Sequence, residues 1–575
     1  MRTTQRFQVI RGALRLLLLG LALAAPLCAQ TYEQVAPRPV REGTPTPVQP
    51  SPPAQPQNPG SDEILVPRLN GLRLIPSQDL VSSSPLPPGR MLVIDGLPWL
   101  DRSCAESAVA GFVSRPLGRQ DLSRLIRALV LACRKSDRPV VDIYAPPQDV
   151  STGVVQLVVR VARLGQVQVE GNRWFATDLI RSGVRTRPGQ EITGQSLFED
   201  VELLNQNPFR QVDLVYARGD GPGLTNVILR VGDQRPYRAY AGYDDSGNES
   251  TGLGRVFAGV NLGNLWGADQ QFSYQYSRST DFDRMQAHSA SITVPVAWRD
   301  TFEVFGDWAE AKAQSGGILD LVGISWQLGA RYTVPLPLLG TSYSESLNFG
   351  ADYKWSNNNL AFGGTQVFTS PVDIVQGVLG YNATLADAMG STQLAATGFY
   401  GPGGLGGQDH DRTFEVQRAG ARAQFGYVQV GITRVQKLPR NFTTVLAILG
   451  QASSDRLLPS DQFGLGGEDS VRGYDERIIN GDEGMSAQWE IRTPSWHVLG
   501  RIPDESQALV FVDAGRDWQR NPLPGDVDTT LASAGPGLRL SVGANGTVKA
   551  DYGWQLERLP GTRHGRLHLS ATLSF

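Results

Sequence analysis

From Tyr237 to Phe575 apolar and polar residues alternate in short runs, and this alternation restricts the fold more than any other feature of the 575-residue chain. Tyr237, Ala239, Ala241 and Tyr243 alternate with Arg238, Tyr240 and Gly242. Met485, Ala487, Trp489 and Ile491 alternate with Ser486, Gln488, Glu490 and Arg492, and the chain ends Leu567, Leu569, Ala571, Leu573, Phe575 against His568, Ser570, Thr572, Ser574. A period of two is the signature of strands. Sixteen such runs centre near Ala239, Ala258, Tyr274, Ser291, Val304, Leu328, Phe349, Val378, Ala395, Tyr427, Val445, Trp489, Val510, Leu538, Asp551 and Leu569. That leaves about 21 residues per strand and connection, which suits strands of ~9–11 residues spanning a bilayer. Aromatic residues recur near the run ends, as in the girdles of a lipid-facing wall around a polar lumen. Lipid cannot satisfy an open sheet edge, so the wall must close. The alternative is a large soluble β-domain. A mean hydropathy of −0.22 argues against a helical membrane protein, but alternating strands average to such a value.

The first 29 residues read as a secretory signal. Arg2, Arg6, Arg11 and Arg15 precede the apolar Leu16–Leu27, and Ala29 is small enough for a cleavage site. Cys28 invites a lipid-anchor reading, which Pro26 and Leu27 oppose because small residues are expected there. No later run is long and apolar enough for a membrane helix. Residues 30–63 are a linker, extended by nine prolines between Pro37 and Pro59.

Residues 64–163 read as a small α/β domain. Met91–Ile94 resembles a strand. Ser103–Ser114 and Asp121–Arg134 read as helices, the second with Leu122, Leu125, Ile126, Leu129 and Val130 on one face. Val140–Tyr144 and Val154–Val161 follow as strands. Cys104 and Cys133, one per helix, are the cysteines that outlast signal cleavage. An even pair in an oxidising compartment predicts a disulfide between the helices, against the alternative of two small buried residues. Residues 164–234 repeat the plan: a strand at Val167–Glu170, a helix at Ala176–Gly183 with Thr177 as its N-cap, a helix at Gln195–Gln206, and strands at Val212–Ala217 and Thr225–Val231. Residues 235–575 form the strand-rich part.

Within it, Ala452–Glu483 is long, polar and Gly-rich, and connections of that length are usually functional. It carries Val471-Arg472-Gly473-Tyr474. Along the thirteenth run, Leu509, Phe511, Asp513 and Gly515 share one face and Ala508, Val510, Val512 and Ala514 the other. Asp513 is costly toward lipid. It therefore faces the lumen, and Phe511 with it.

Two serial βααββ units, with Glu170-Gly171-Asn172 after a strand and Asn207-Pro208-Phe209 after a helix, resemble POTRA (polypeptide-transport-associated) domains. Signal, Pro-rich linker, two such units and a barrel of about 16 antiparallel strands together resemble the two-partner secretion transporters of TpsB type. These belong to the haemolysin-activator and adhesin-secretion group of the POTRA-plus-barrel outer-membrane superfamily. Val471–Tyr474 and the F-x-D-x-G match Phe511-Val512-Asp513-Ala514-Gly515 carry the resemblance. Gly263-Asn264-Leu265-Trp266-Gly267, the terminal Phe575 and the lumen-facing charges Glu490 and Arg492 support it.

The resemblance implies that the long connection folds into the lumen, that Arg472 pairs with Asp513, and that Gly473 lets the backbone turn tightly. In a wet lumen such a pair is expected to contribute only about 0–1 kcal/mol. It further implies an outer-membrane location with POTRA domains in the periplasm. Its partners are then an unfolded exported (TpsA-like) protein, outer-membrane lipid, and the barrel-assembly machinery acting through the C-terminal strand and Phe575. Family members can carry an N-terminal plug helix. The nine prolines here restrict one to the few residues before Pro37.

Net charge −3 and a pI near 6.1 give no footprint for nucleic acid. Gly401–Gly407 has no following Lys-Ser/Thr to cradle phosphate, no Gly-x-Ser-x-Gly elbow occurs, and His564 and His568 are four apart on a strand, where that spacing builds no helical metal pair. No enzyme, metal or cofactor is expected. The competing readings are a barrel-assembly insertase of the same superfamily, for which two units rather than three or five are few, and a diffusion porin, which needs neither the units nor the Arg472 motif.

Overall fold

The computed structural model describes residues 35–39 and 63–575, apart from residues 85, 88, 249–251, 297–298, 316–318, 338–341, 363–364, 499–503, 544 and 561. The expected signal and most of the linker lie outside the described residues. The chain divides into two units, one of residues 45–234 and one of residues 1–44 with 235–575.

In the first unit, the parallel pairs Gly71–Ile75 with Leu92–Ile94 and with Val154–Val161, and the antiparallel Val141–Tyr144, make a four-stranded sheet. Helices Arg102–Val109 and Arg119–Lys135 pack together on it, because Leu125, Leu129 and Cys133 recur on one face and are buried with Leu72, Leu74 and Leu157. Asp101 accepts from the Cys104 N–H and caps the first helix. The expected disulfide is not formed, and Cys104 and Cys133 are free thiols. Ala105 and Val109 take the core-facing positions of their helix, leaving Cys104 half-buried while Cys133 points into the core. The strand Gly71–Ile75, bounded by Asn70 and by Pro76-Ser77, is not among the strands expected from the sequence.

A second sheet orders Arg163–Glu170, Leu224–Asp233 and Arg210–Arg218. It carries helices Thr177–Ser182 and Gly194–Asn205. Ala176, not Thr177, is the N-cap of the shorter helix, and Thr177 instead accepts from the Asn172 side chain. The turn that follows Glu170 is held because the Asp233 carboxylate accepts from the N–H groups of Arg173, Trp174 and Phe175.

The other unit is a closed antiparallel barrel of sixteen strands. They are β1 (Tyr237–Asp244), β2 (Arg255–Leu265), β3 (Gln270–Ser279), β4 (Met285–Pro295), β5 (Thr301–Ser315), β6 (Leu319–Pro335), β7 (Tyr343–Phe362), β8 (Thr365–Asp387), β9 (Gly390–Gly401), β10 (Phe425–Lys437), β11 (Thr443–Ser453), β12 (Glu483–Arg492), β13 (Asp504–Trp518), β14 (Thr530–Val542), β15 (Gly546–Gln555) and β16 (Gly565–Ser574). Every centre read from the sequence falls inside one of them. The strands β5 to β8, at 15, 17, 20 and 23 residues, exceed the expected length. Chain expected in outer loops is paired there as strand. β1 closes on β16 from Tyr240↔Ser574 to Asp244↔Ser570, and Phe575 extends the pairing by exchanging both backbone hydrogen bonds with Ala239.

Alternation sorts the wall as the energetics of lipid require. On β13, Val510 and Val512 are exposed to the outside while Leu509, Phe511 and Asp513 are buried inward. On β15, Tyr552 and Trp554 face out while Asp551 is buried. Among the described residues no helix is long and apolar enough to cross a membrane, and the strands do the crossing. Val35 is helical, and residues 35–39 run along the inner wall of β1–β4. The Val35 carbonyl accepts from Gln275, Arg38 pairs with Asp244 at 2.7 Å, and Arg238 donates to the Pro39 carbonyl.

Candidate functional site

The connection between β11 and β12, residues 454–482, turns into the barrel. A short hairpin of Phe463–Leu465 with Ile479–Gly481 forms its shaft. Phe463, Leu465, Val471, Tyr474 and Leu531 bury one another between the shaft and the wall. Burial of these apolar side chains, at about 1.5–3 kcal/mol each, is the main force drawing the loop inward. Gly515 provides the space for it: a methyl group there would stand 2.7 Å from Leu465 and 3.2 Å from Val471.

Arg472 sits at the end of this limb and is 1% exposed. Its Nε and Nη2 donate to the two oxygens of Asp513 at 2.7 and 2.8 Å, a bidentate fork, and its own backbone N–H adds a third bond at 3.1 Å. Nη1 donates to Glu490 at 2.6 Å and to Asp551 at 3.2 Å. The guanidinium lies over the Phe511 ring, 3.6 Å from its centroid. This contact accounts for an aromatic residue facing inward two positions before Asp513.

The carboxylates are shared further. Arg539 forks onto Asp551 at 2.5 and 2.8 Å, and Arg492 forks onto Glu490 at 2.8 and 2.7 Å. Three guanidiniums (Arg472, Arg492, Arg539) thus face three carboxylates (Glu490, Asp513, Asp551), and the cluster is neutral. With Asp513 wholly buried, the expectation of a wet, weak pair does not hold. Removing one partner from such a cluster leaves an uncompensated buried charge, at a cost of about 3–5 kcal/mol.

Gly473 has φ +91°, in the left-handed region, and a Cβ on it would lie 2.7 Å from the Gly553 carbonyl oxygen. Its N–H donates to His568 Nε2 at 2.9 Å, and its carbonyl accepts from Gln555 at 2.8 Å. The Tyr474 hydroxyl donates to the Ala532 carbonyl at 2.8 Å. The motif therefore spans β12 to β16. The sequence pointed to Arg472, Gly473, Asp513, Glu490 and Arg492. It missed Asp551, Arg539, Gly553, Gln555 and His568. Asp551, an acid on the polar side of an alternating strand, carried the same signal as Asp513 but had no motif to single it out. Cys104 and Cys133 lie in the other unit and take no part. Among the described residues no cluster of His, Cys, Asp and Glu is arranged to hold a metal ion.

Residues 223–540, more than half of the chain, match the family described as "Haemolysin secretion/activation protein ShlB/FhaC/HecB". The chain is 25% identical over 413 residues to the outer membrane transporter CdiB of Dickeya dadantii (strain 3937), covering 68% of each. It is 22% identical over 393 residues to the heme/hemopexin transporter protein HuxB of Haemophilus influenzae, covering 66% of this chain and 67% of that one. The solved structure of CdiB from Escherichia coli shares the fold, with a TM-score of 0.72 at 19% identity over 92% of this chain and 94% of that one. CdiB from Acinetobacter baumannii gives a TM-score of 0.60 at 18% identity over 100% and 98%. The barrel, the periplasmic POTRA-like sheets and the matched residues together place the chain in the outer membrane as a transporter of the two-partner secretion type: it belongs to the ShlB/FhaC/HecB family of haemolysin secretion/activation proteins.

Proposed function

We propose that this transporter exports one large partner protein, of haemolysin, adhesin or toxin class, from periplasm to cell surface. The observation that carries the reading is the Arg472 limb. It fills lumen with a separable element, seated by apolar burial and an ion cluster rather than by pairing into the barrel sheet. A permanently open diffusion pore has no use for such an element. Withdrawing it frees a path without opening the wall.

The POTRA-like sheets supply the capture step. Each keeps edge strands, among them Val141–Tyr144 and Arg210–Arg218, to which an unfolded chain can add by backbone hydrogen bonds. Folding of the cargo outside then makes the passage one-way.

The test is a secretion assay on cells carrying this chain and its cognate exoprotein. Arg472→Ala, or deletion of residues 165–231, should remove the exoprotein from the supernatant while the barrel still reaches the membrane. Normal secretion by both variants would end the proposal. Loss of many unrelated barrels on deleting the chain would instead favour an insertase.

A further inference from the structure

The Arg472 limb has a neck, and a second buried carboxylate sits in it. Asp482 is the last loop residue before β12 and is 0% exposed. Its Oδ1 accepts from the Leu457 N–H at 2.8 Å, which ties the outgoing stem of the loop to the incoming one. Its Oδ2 accepts from the Arg520 N–H at 2.9 Å, in the connection between β13 and β14. Both oxygens also receive the Arg418 guanidinium, which reaches over from the connection between β9 and β10 and stands 3.0 Å from Oδ2. Arg418 continues to Gln519 at 2.7 Å, and Gln519 returns a hydrogen bond to the Asn480 carbonyl at 2.8 Å.

One carboxylate thus joins three consecutive connections at the end of the barrel opposite Tyr237 and Phe575. Two further contacts bind the same three. Arg456 donates to Asp526 at 2.6 Å and to the Asn521 carbonyl at 3.3 Å. Phe414, on the short helix Asp411–Gln417 between β9 and β10, is buried with Leu457, Leu458, Val372 and Ile374. None of these residues belongs to the Arg472 cluster, and none of the bonds named above ends on one of its members. A buried carboxylate with four donors is a strong fixed point. Its loss would take a carboxylate from Arg418 and the acceptor from two backbone donors.

We infer that Asp482 is a positioning residue that welds the three outer connections into a single cap and fixes the neck from which the Arg472 limb hangs. The pore then has two independent locks in series, an outer one at Asp482 and an inner one at Arg472. Releasing the limb leaves the cap closed, and loosening the cap leaves the limb seated.

The cap can be read without cargo. Val416 and Val527 are exposed and lie on the first and third of these connections. Spin labels at Val416→Cys and Val527→Cys, in the full-length chain with Cys28, Cys104 and Cys133 replaced by Ser, report the cap by pulsed dipolar spectroscopy. Asp482→Ala should turn a narrow distance distribution into a broad one, and Arg472→Ala should leave it narrow. In planar bilayers each variant should raise open probability by at least about tenfold, and the double variant should multiply the two factors. Arg418→Ala repeats the test with less risk to folding, and heat-modifiable migration confirms a closed barrel in every variant. An unchanged distribution in Asp482→Ala or Arg418→Ala overturns the inference, as does a double variant no more open than either single one. The inference rests on the exporter reading only for its biological consequence. Lost secretion in Asp482→Ala with a narrow distribution would count against the locks, and a broadened cap in Asp482→Ala with secretion absent even from cells carrying the wild type would count against the exporter alone.

Discussion

Gly473 and Gly553 are packed backbone against backbone. A Cβ on Gly473 would fall 2.7 Å from the Gly553 carbonyl oxygen, and one on Gly553 would fall 2.6 Å from the Gly473 nitrogen. The limb therefore reaches Asp513 only because both the loop and β15 lack a side chain at the same point. Gly553→Ala, on a strand where alanine is conformationally acceptable, should push the limb off the wall and raise open probability in planar bilayers. Gly473→Ala adds the strain of a left-handed backbone, about 1–2 kcal/mol, and should be worse. Wild-type conductance in both would show that the limb is held elsewhere.

Arg472 serves three carboxylates, and this bears on any charge-swap experiment. Arg472→Asp should abolish secretion. The compensating Asp513→Arg should restore little, because Asp at 472 would face Glu490 and Asp551. Arg472→Lys should also fail, since an ammonium cannot fork onto Asp513 while reaching the other two. Secretion titres of the three variants check this, and full rescue by the swap would show that the Asp513 contact alone matters.

Phe511 contributes through its ring face. Phe511→Leu keeps an apolar group of similar bulk but removes the stacking, so the limb should loosen by about 0.5–2 kcal/mol. Phe511→Tyr should be close to wild type. Protection of the limb from added protease in purified protein, compared between these two variants, measures the difference.

The thiols offer a pH-dependent test of the first POTRA-like domain. Burial pushes the Cys133 thiol up to about 12. The folded state thus favours the protonated form over the unfolded chain, whose thiol titrates near 9.0. That stabilisation is complete below pH ~8.5 and is lost as pH rises toward 12. A maleimide at neutral pH should modify the half-buried Cys104 and spare Cys133 until denaturant is added. Chemical denaturation should show Cys133→Ser reducing the loss of stability between pH 9 and 11. Equal labelling of both thiols in the folded protein would contradict the packing.

Much of this protein was decided locally. A period of two, repeated sixteen times, needs only the pleat of a strand and the cost of polar groups in lipid to become a barrel wall. The same cost turned Asp513 inward before any fold was known. Tertiary structure alone decided what Asp513 meets. Asp551 and His568 lie 79 and 95 residues from the motif residues they bond, and no local rule links them. They meet because strand register and barrel closure bring β12 to β16 around one lumenal point. The apolar loop residues then drive the limb into it, excluding the water that was expected to weaken the pair. The cysteines show the opposite outcome. Their even number suggested a bond, but the phase of each helix, with Ala105 rather than Cys104 turned to the core, leaves two separate thiols. Composition fixes which groups want burial or a partner. Packing chooses which of them are close enough to have it.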